Sequence, residues 1–333
     1  MSTSALITTS FTASSTADEV LHGVDLTGVR AMVTGSSSGI GAESARTITA
    51  AGAQVTLAVR DTTAGDAVAE AIKDSTGALR PRVLPLDFTD RASVIRFVEA
   101  CTGPLHLLNN NAGLVTGRLE RAREGWKLQL ATNHLGHFVL ATGLHDALAR
   151  GAAERDGARI VALSSTAHTR AGVDFDDLHF ERRRYDPQIA SARSKTANSL
   201  SLSKRPAGGP ATAIVANVVN PGGVATGLQR HFTTKQKESL DAAEAAGVFT
   251  YKTIGQGAAT SMVAAVAPEL AQTGGQDLDD GQEAYTVPDD ADLAQQRQAM
   301  AARPGHRDPT LDCLDRPSSR LTSSRPERQP ELR

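Results

Sequence analysis

The chain has 333 residues, 40% hydrophobic and 22% charged, enough for one large α/β domain or two small ones. A formal net charge of -2 lacks the basic excess that phosphate-backbone binding needs, which argues against nucleic acid as a partner. Two cysteines, Cys101 and Cys313, are too few for a disulfide framework or a zinc site, and no apolar run approaches the roughly 18 residues of a membrane span. No Lys or Arg precedes Arg30, so no charged leader is visible, and a cytoplasmic protein with no membrane partner is the expectation.

Residues 1–17 are uncharged and rich in Ser, Thr and Ala up to the acidic Asp18, and read as a flexible arm. A short helical pattern follows, with Thr16 as cap and Glu19 closing a capping box. From there the chain alternates. Strands are predicted at 29–34, 53–59, 82–86, 105–108, 159–163 and 213–219. Helices are predicted at 40–51, 63–74, 91–101 and 189–203, with one or two more inside 117–148. Short apolar strands alternating with helices predict βαβ units and a parallel sheet buried on both faces. Right-handed crossovers then make it a doubly wound, Rossmann-type α/β sheet in a single domain over 18–288. Residues 289–333, rich in Arg, Pro and Ser without periodic apolar positions, read as a disordered tail.

After the first strand comes Thr34-Gly-Ser-Ser-Ser-Gly-Ile-Gly41. Gly35, Gly39 and Gly41 allow a tight turn and a close ligand approach, with Ser37 and Ser38 on the turn and Ile40 opening the next helix. The unpaired N–H groups and positive dipole end of that helix suit a pyrophosphate. A glycine trio is weak alone; its place between the first strand and first helix strengthens it.

The wording of this turn resembles the short-chain dehydrogenase/reductase family. The same order and spacing continue over about residues 16–288 through Asn110-Asn-Ala-Gly113, Asn133-His-Leu-Gly-His-Phe138, Ser164-Ser165, Ser-Lys195-Thr-Ala-Asn198 and Pro221-Gly222 with Thr226 beyond. The helix motif Asn133–Phe138 looks like the retinol-dehydrogenase-like and protochlorophyllide-reductase-like branch. The resemblance implies hydride transfer between a nicotinamide cofactor and a carbonyl or secondary alcohol of a small molecule. It implies cofactor contacts at Gly35, Ser37, Ser38, Gly39, Ile40, Gly41, Asp87, Asn110, Ala112, Gly113 and Lys195. Arg60 at the second strand's end offers a cationic fork to a 2′-phosphate, so NADP(H) is expected over NAD(H). Asp61 is the alternative partner of Arg60, and Asp87 the alternative cap of the helix near Arg91.

Family catalysis uses Ser, Tyr, Lys and Asn. Ser165 fits the substrate-orienting Ser, with Ser164 a close rival; Asn133 fits the relay Asn and Lys195 the Lys. Four residues before Lys195 stands Ser191, where the family has Tyr. Tyr185, Tyr251 and Tyr285 are each followed four residues later by Ile189, Gly255 and Asp289, so no other frame restores the motif. An aliphatic hydroxyl is a far weaker acid than a phenol. Three readings stand. The chain is a reductase with water, Ser191 or Tyr185 as proton source; or it binds cofactor without turnover; or short frame shifts have altered codons around Ser191, 199–210 and 289–333. His134, His137 and His168 are expected to pack rather than to bind metal, and no Gly-x-Ser-x-Gly elbow supports an esterase built on Ser165 and His168. Substrate walls are expected from 166–185 and 224–253, with Phe232, Leu240 and Phe249 as apolar candidates. Relatives often pair through helices, so a homo-oligomer is left open.

Overall fold

The computed structural model describes residues 6–155, 157–202, 213–247 and 250–284. Among these, one sheet contains β1 (Arg30–Thr34), β2 (Gln54–Val59), β3 (Arg82–Pro85), β4 (Leu107–Asn110), β5 (Ala158–Leu163), β6 (Ile214–Asn220), β7 (Asp277–Asp279) and β8 (Gln282–Glu283). The order is β3-β2-β1-β4-β5-β6-β7-β8. Every pairing is parallel except that of β7 with β8. The expected doubly wound sheet is therefore present, and its strand order reverses between β1 and β4, where such sheets open a crevice at their carboxyl edge.

The helices are α1 (Ala17–Leu21), α2 (Gly39–Ala50), α3 (Thr62–Thr76), α4 (Arg91–Ala100), α5 (Leu128–Leu130), α6 (Gly136–Gly143), α7 (His145–Glu154), α8 (Pro187–Leu202), α9 (Thr234–Ala245) and α10 (Ile254–Val266). Their starts are chemically marked. Thr16 and Glu19 form the expected capping box of α1, Asp61 caps α3 and Asp90 caps α4. Asp186 accepts from the N–H groups of Gln188 and Ile189 ahead of α8, which carries Pro187 where a missing N–H is harmless.

Two apolar layers cover the sheet. On one face, α1, α2, α3 and α10 pack on Val33, Val55, Leu57 and Val59. On the other, α4, α6 and α7 pack on Met32, Ala58 and Leu108. The predicted helix inside 117–148 begins only at Leu128, and α7 runs on to Glu154. Residues 117–127 instead turn back on themselves, with a bridge between Arg121 and Lys127, because Gly125 takes φ +82°.

Within the segment expected as a flexible arm, residues 7–11 are fastened to the sheet edge. Glu283 N–H donates to the Ile7 carbonyl at 3.0 Å, and Thr9 Oγ1 donates to the Gly281 carbonyl at 2.8 Å. The expectations for 289–333, 203–212, Phe249 and Tyr285 fall outside the described residues.

Candidate active site

The Gly-rich turn leaves β1 at the switch point. Gly35 and Gly39 take φ +65° and +59°, where a side chain is strained. A Cβ on Gly35 would sit 2.7 Å from Ala112 Cα, and one on Gly41 2.6 Å from the Gly35 carbonyl oxygen. The turn is locked from the side by a residue the sequence reading passed over. Asn111 Nδ2 donates to the carbonyls of Thr34 at 2.8 Å and Gly35 at 3.3 Å. Thr34 Oγ1 accepts from the N–H groups of Asn111 and Ala112, both at 3.0 Å.

Behind Thr34 stands His137, with Nε2 2.9 Å from the hydroxyl. Its Nδ1 lies 3.2 Å from the Asn133 carbonyl, which can only accept, so the proton sits on Nδ1 and Thr34 donates to Nε2. Burial pushes its pKa down to about 3, so this ring is a neutral strut. His134 is likewise buried, 3.0 Å from Asn198 Oδ1. Among the described residues no group of three metal-ligating side chains occurs.

Ser37 is half-buried and Ser38 exposed, and Ser38 makes no side-chain cap, so the first N–H groups of α2 face the crevice unclaimed by it. Arg60 and Asp61 are exposed at the end of β2. Asp61 spends its carboxylate on the Ala64 N–H at 3.0 Å, and no described carboxylate pairs with Arg60. Asp87 is not the cap of α4; it accepts from the N–H and hydroxyl of Thr89 at 2.8 and 2.7 Å, because Asp90 stands closer to the helix start. Asn110 is 5% exposed and its Oδ1 has no partner. A buried carbonyl left unpaired is costly, so this one could accept from a ligand donor.

The polar groups expected to act on substrate converge beyond β4 and β5. Lys195 Nζ donates to the Leu163 carbonyl at 2.8 Å, and burial pushes its pKa down to about 8. A Cβ on Gly113 would lie 3.5 Å from Asn133 Oδ1 and 3.8 Å from Lys195 Nζ, so these three residues meet around one point. Asn133 sits in a π turn, Ala131–Leu135, that joins α5 to α6. Such a turn re-aims one residue without ending the helix. The Asn133 amide accepts from Leu114 N–H at 2.9 Å and donates to Ser194 Oγ at 3.0 Å. Ser194 in turn donates to the Ser191 carbonyl at 2.7 Å, a link not anticipated from sequence.

The two serines after β5 are told apart by their surroundings. Ser164 is 2% exposed and its hydroxyl donates to the Lys195 carbonyl at 3.1 Å. Ser165 is half-buried and its Oγ only accepts from the Ala167 N–H at 3.2 Å, leaving its proton free for a ligand. Ser191 is half-buried on the same face of α8 as Lys195, one turn away. Tyr185 is engaged elsewhere: its hydroxyl is 2.8 Å from Thr116 Oγ1, its ring stands edge-on to Phe180, and burial pushes its pKa up. That is the wrong direction for an acid near neutral pH.

Beside α8 lies a cavity of about 400 Å³ lined by Arg170, Gln188, Phe232, Gln236 and Leu240. It brings together the two segments expected to wall a substrate, 166–185 and 224–253. Thr226 reaches over the glycine turn, its Cγ2 3.5 Å from where a Gly39 Cβ would be. The chain that follows β6 thus touches the glycine turn at Gly39.

A family model for short chain dehydrogenases matches residues 30–175. A Streptomyces antibioticus protein described as a probable oxidoreductase is 44% identical over 271 residues, covering 79% of this chain and 89% of its own. The chain belongs to the short-chain dehydrogenase/reductase family. A mouse polyprenol dehydrogenase is 36% identical over 276 residues, with 81% of each chain covered. Among solved structures of this fold, Pseudomonas aeruginosa RhlG in an active-site complex with NADP shares 26% identity at TM-score 0.59, covering 77% of this chain and 95% of its own. A Mycobacterium paratuberculosis crystal structure matches at TM-score 0.64 and 26% identity, covering 92% of this chain and 98% of its own. The assignment to an oxidoreductase of this dehydrogenase family rests on these relatives. Among the described residues, no helix is long and apolar enough to cross a membrane.

Proposed function

We propose that the chain is an NADP(H)-dependent oxidoreductase acting on a carbonyl or secondary alcohol of a small molecule. The observation that carries this reading is the meeting of Lys195, Asn133 and Gly113 around one point, in the loop that also carries Ala112 against Gly35 of the glycine turn. NADP(H), when bound, supplies or accepts the hydride. Gly35, Ser37, Ser38, Gly39, Ile40 and Gly41 would receive the pyrophosphate through backbone N–H groups. Arg60, unpaired by any described carboxylate, would hold the 2′-phosphate. Asn110 would bond the adenosine side through its unpaired Oδ1, with Asp87, Ala112 and Gly113 alongside.

Ser165 would donate its free hydroxyl proton to the substrate oxygen and orient it. Lys195 would hold the nicotinamide-side ribose through its ammonium. Ser191 leaves the position of the family's phenol to a short hydroxyl, which cannot itself ionise near neutral pH. The proton would therefore pass by water between the substrate oxygen and Lys195, whose pKa of about 8 suits that exchange.

A second reading, a cofactor-binding protein without turnover, is favoured by one observation: Tyr185 is tied to Thr116 and cannot stand in for the missing phenol. One experiment separates them. NADPH binding is measured by fluorescence, then turnover on a panel of carbonyl compounds, for wild type, Ser191→Tyr and Lys195→Ala. Turnover by wild type that is lost in Lys195→Ala supports the enzyme. Binding without turnover in wild type, with activity gained in Ser191→Tyr, supports the second reading. No binding of either nicotinamide cofactor refutes both.

A further inference from the structure

A parallel sheet covered on both faces should show apolar side chains on both. One face of β1, β2 and β3 obeys this from end to end. Ala31 pairs with Val55, Val33 with Leu57, and Leu57 with Val83. The other face obeys it only in its middle, at Met32, Ala58 and Leu84. Side chains alternate along a strand, so Arg30, Gln54, Thr56 and Arg82 share this second face through the pairings Arg30 with Gln54, Met32 with Thr56, and Thr56 with Arg82. The sheet therefore changes from apolar to cationic and polar at its amino edge, opposite to the cofactor crevice.

That edge is hollow. A cavity of about 430 Å³ lies there, its lining including Met32, Leu84 and Leu105 and the arginines Arg30, Arg80 and Arg82. Such a volume lies in the range of small-molecule sites. No acidic residue lines it. Arg80 is already neutralised by Asp66 and Glu70. The Arg30 guanidinium donates to the Thr102 carbonyl at 3.0 Å and lies over Gly103, where a Cβ would displace it. Arg82 is exposed and forms no ion pair with a described carboxylate. Both charges reach the half-buried Cys101 thiol, whose pKa burial pushes up against their pull.

We propose that this cavity is a binding site for a small amphipathic anion, its carboxylate or phosphate head held by Arg30 and Arg82 and a short hydrocarbon body laid on Met32, Leu84 and Leu105. Two guanidiniums without a counter-charge supply the head-group attraction. The apolar wall supplies the rest by burial. The site is separate from the reading of the cofactor crevice and does not depend on it.

The test titrates the full chain with octanoate, inorganic phosphate and 1-octanol by calorimetry, and follows alkylation of Cys101 by iodoacetamide with peptide mass mapping, which separates it from Cys313. Octanoate should bind with a Kd below about 1 mM, at least about tenfold tighter than either phosphate or octanol, and should protect Cys101. Arg82→Glu, an exposed change that leaves the core alone, should weaken octanoate at least about tenfold. The thermal midpoint of Arg82→Glu shows that the variant is folded, independently of any cofactor result. Octanoate binding no tighter than phosphate, binding unchanged in Arg82→Glu, or Cys101 alkylation unaffected by octanoate would each overturn the proposal.

Discussion

On the proposed function, turnover should depend most on the residue one helical turn before Lys195. Restoring a phenol there with Ser191→Tyr adds a positioned acid within reach of a lysine, so carbonyl reduction should rise by about 10²–10⁴ with little change in NADPH affinity. Steady-state rates on one responsive carbonyl decide this, and an unchanged rate would move the proton source away from position 191. Lys195 gives a pH signature. Its pKa of about 8 lies below the ordinary 10.5 because burial disfavours the ammonium. The ammonium predominates at neutral pH, so on the proposed function NADPH affinity should fall as pH rises through about 8, and Lys195→Ala should flatten that profile. Stability runs the other way. The unfolded chain holds this proton up to about pH 10.4, so the folded state gains from it as pH rises above about 8. On the same reading Arg60 should set cofactor choice. Removing its fork from a 2′-phosphate should cost about 1.5–3 kcal/mol, or about 10- to 100-fold in NADPH affinity, and leave NADH unchanged. Equal losses for both cofactors in Arg60→Ala would show that Arg60 does not read the 2′-phosphate.

At the scale of elements, α10 shows how a cap sets a core helix. Nearly its whole circumference is buried, yet its first turn is exposed and held by Thr253 and Gln256 in a capping box. Thr253→Ala should lower stability by about 1 kcal/mol, read from denaturant unfolding at constant slope. The same helix marks the limit of sequence reading. The strands β1 to β6 were legible because apolar runs such as Val55-Thr-Leu-Ala-Val59 fit a sheet buried on both faces. The helices α9 and α10 and the strand β7 were not placed. The α10 sequence Ile254–Val266 is Ala- and Gly-rich all round, so no polar face betrays a helical period, and Asp277–Asp279 is too short and too acidic to resemble a strand. In the candidate site, the glycine turn was legible from residue type and spacing, and Lys195 and Ser165 were placed by the resemblance to the family's motifs. Asn111 and His137 were not given their roles. Their work is to hold Thr34, a contact between β1, the loop after β4 and α6 that only the fold creates. The π turn at Asn133 was equally hidden, since one extra residue in a helical turn leaves no compositional trace.

Across the whole molecule, the two proposed sites lie at opposite ends of one sheet, while residues 7–11 close its side edge. β8 is a two-residue antiparallel strand, too short to protect an edge alone. Residues 7–11 complete it. Ile7 N–H donates to Glu283 Oε2 at 2.7 Å, Thr9 N–H donates to Gln282 Oε1 at 2.9 Å, and Gln282 Nε2 donates to the Thr9 carbonyl at 3.0 Å and to that of Phe11. Ile7 and Phe11 also pack against the core under α1 and α10. Each bond is worth about 0.5–1.5 kcal/mol net, and ordering the segment offsets part of the total. Deleting residues 1–15, which spares the Thr16 cap, should therefore cost about 2 kcal/mol and lower Tm by about 4–8 °C. NADPH affinity should not change, because the strap lies at the β8 edge and the glycine turn follows β1, with four strands between them. A truncated chain that melts with the full-length protein would show the strap to be idle. A loss of cofactor affinity at unchanged Tm would instead make the chain's beginning part of the crevice.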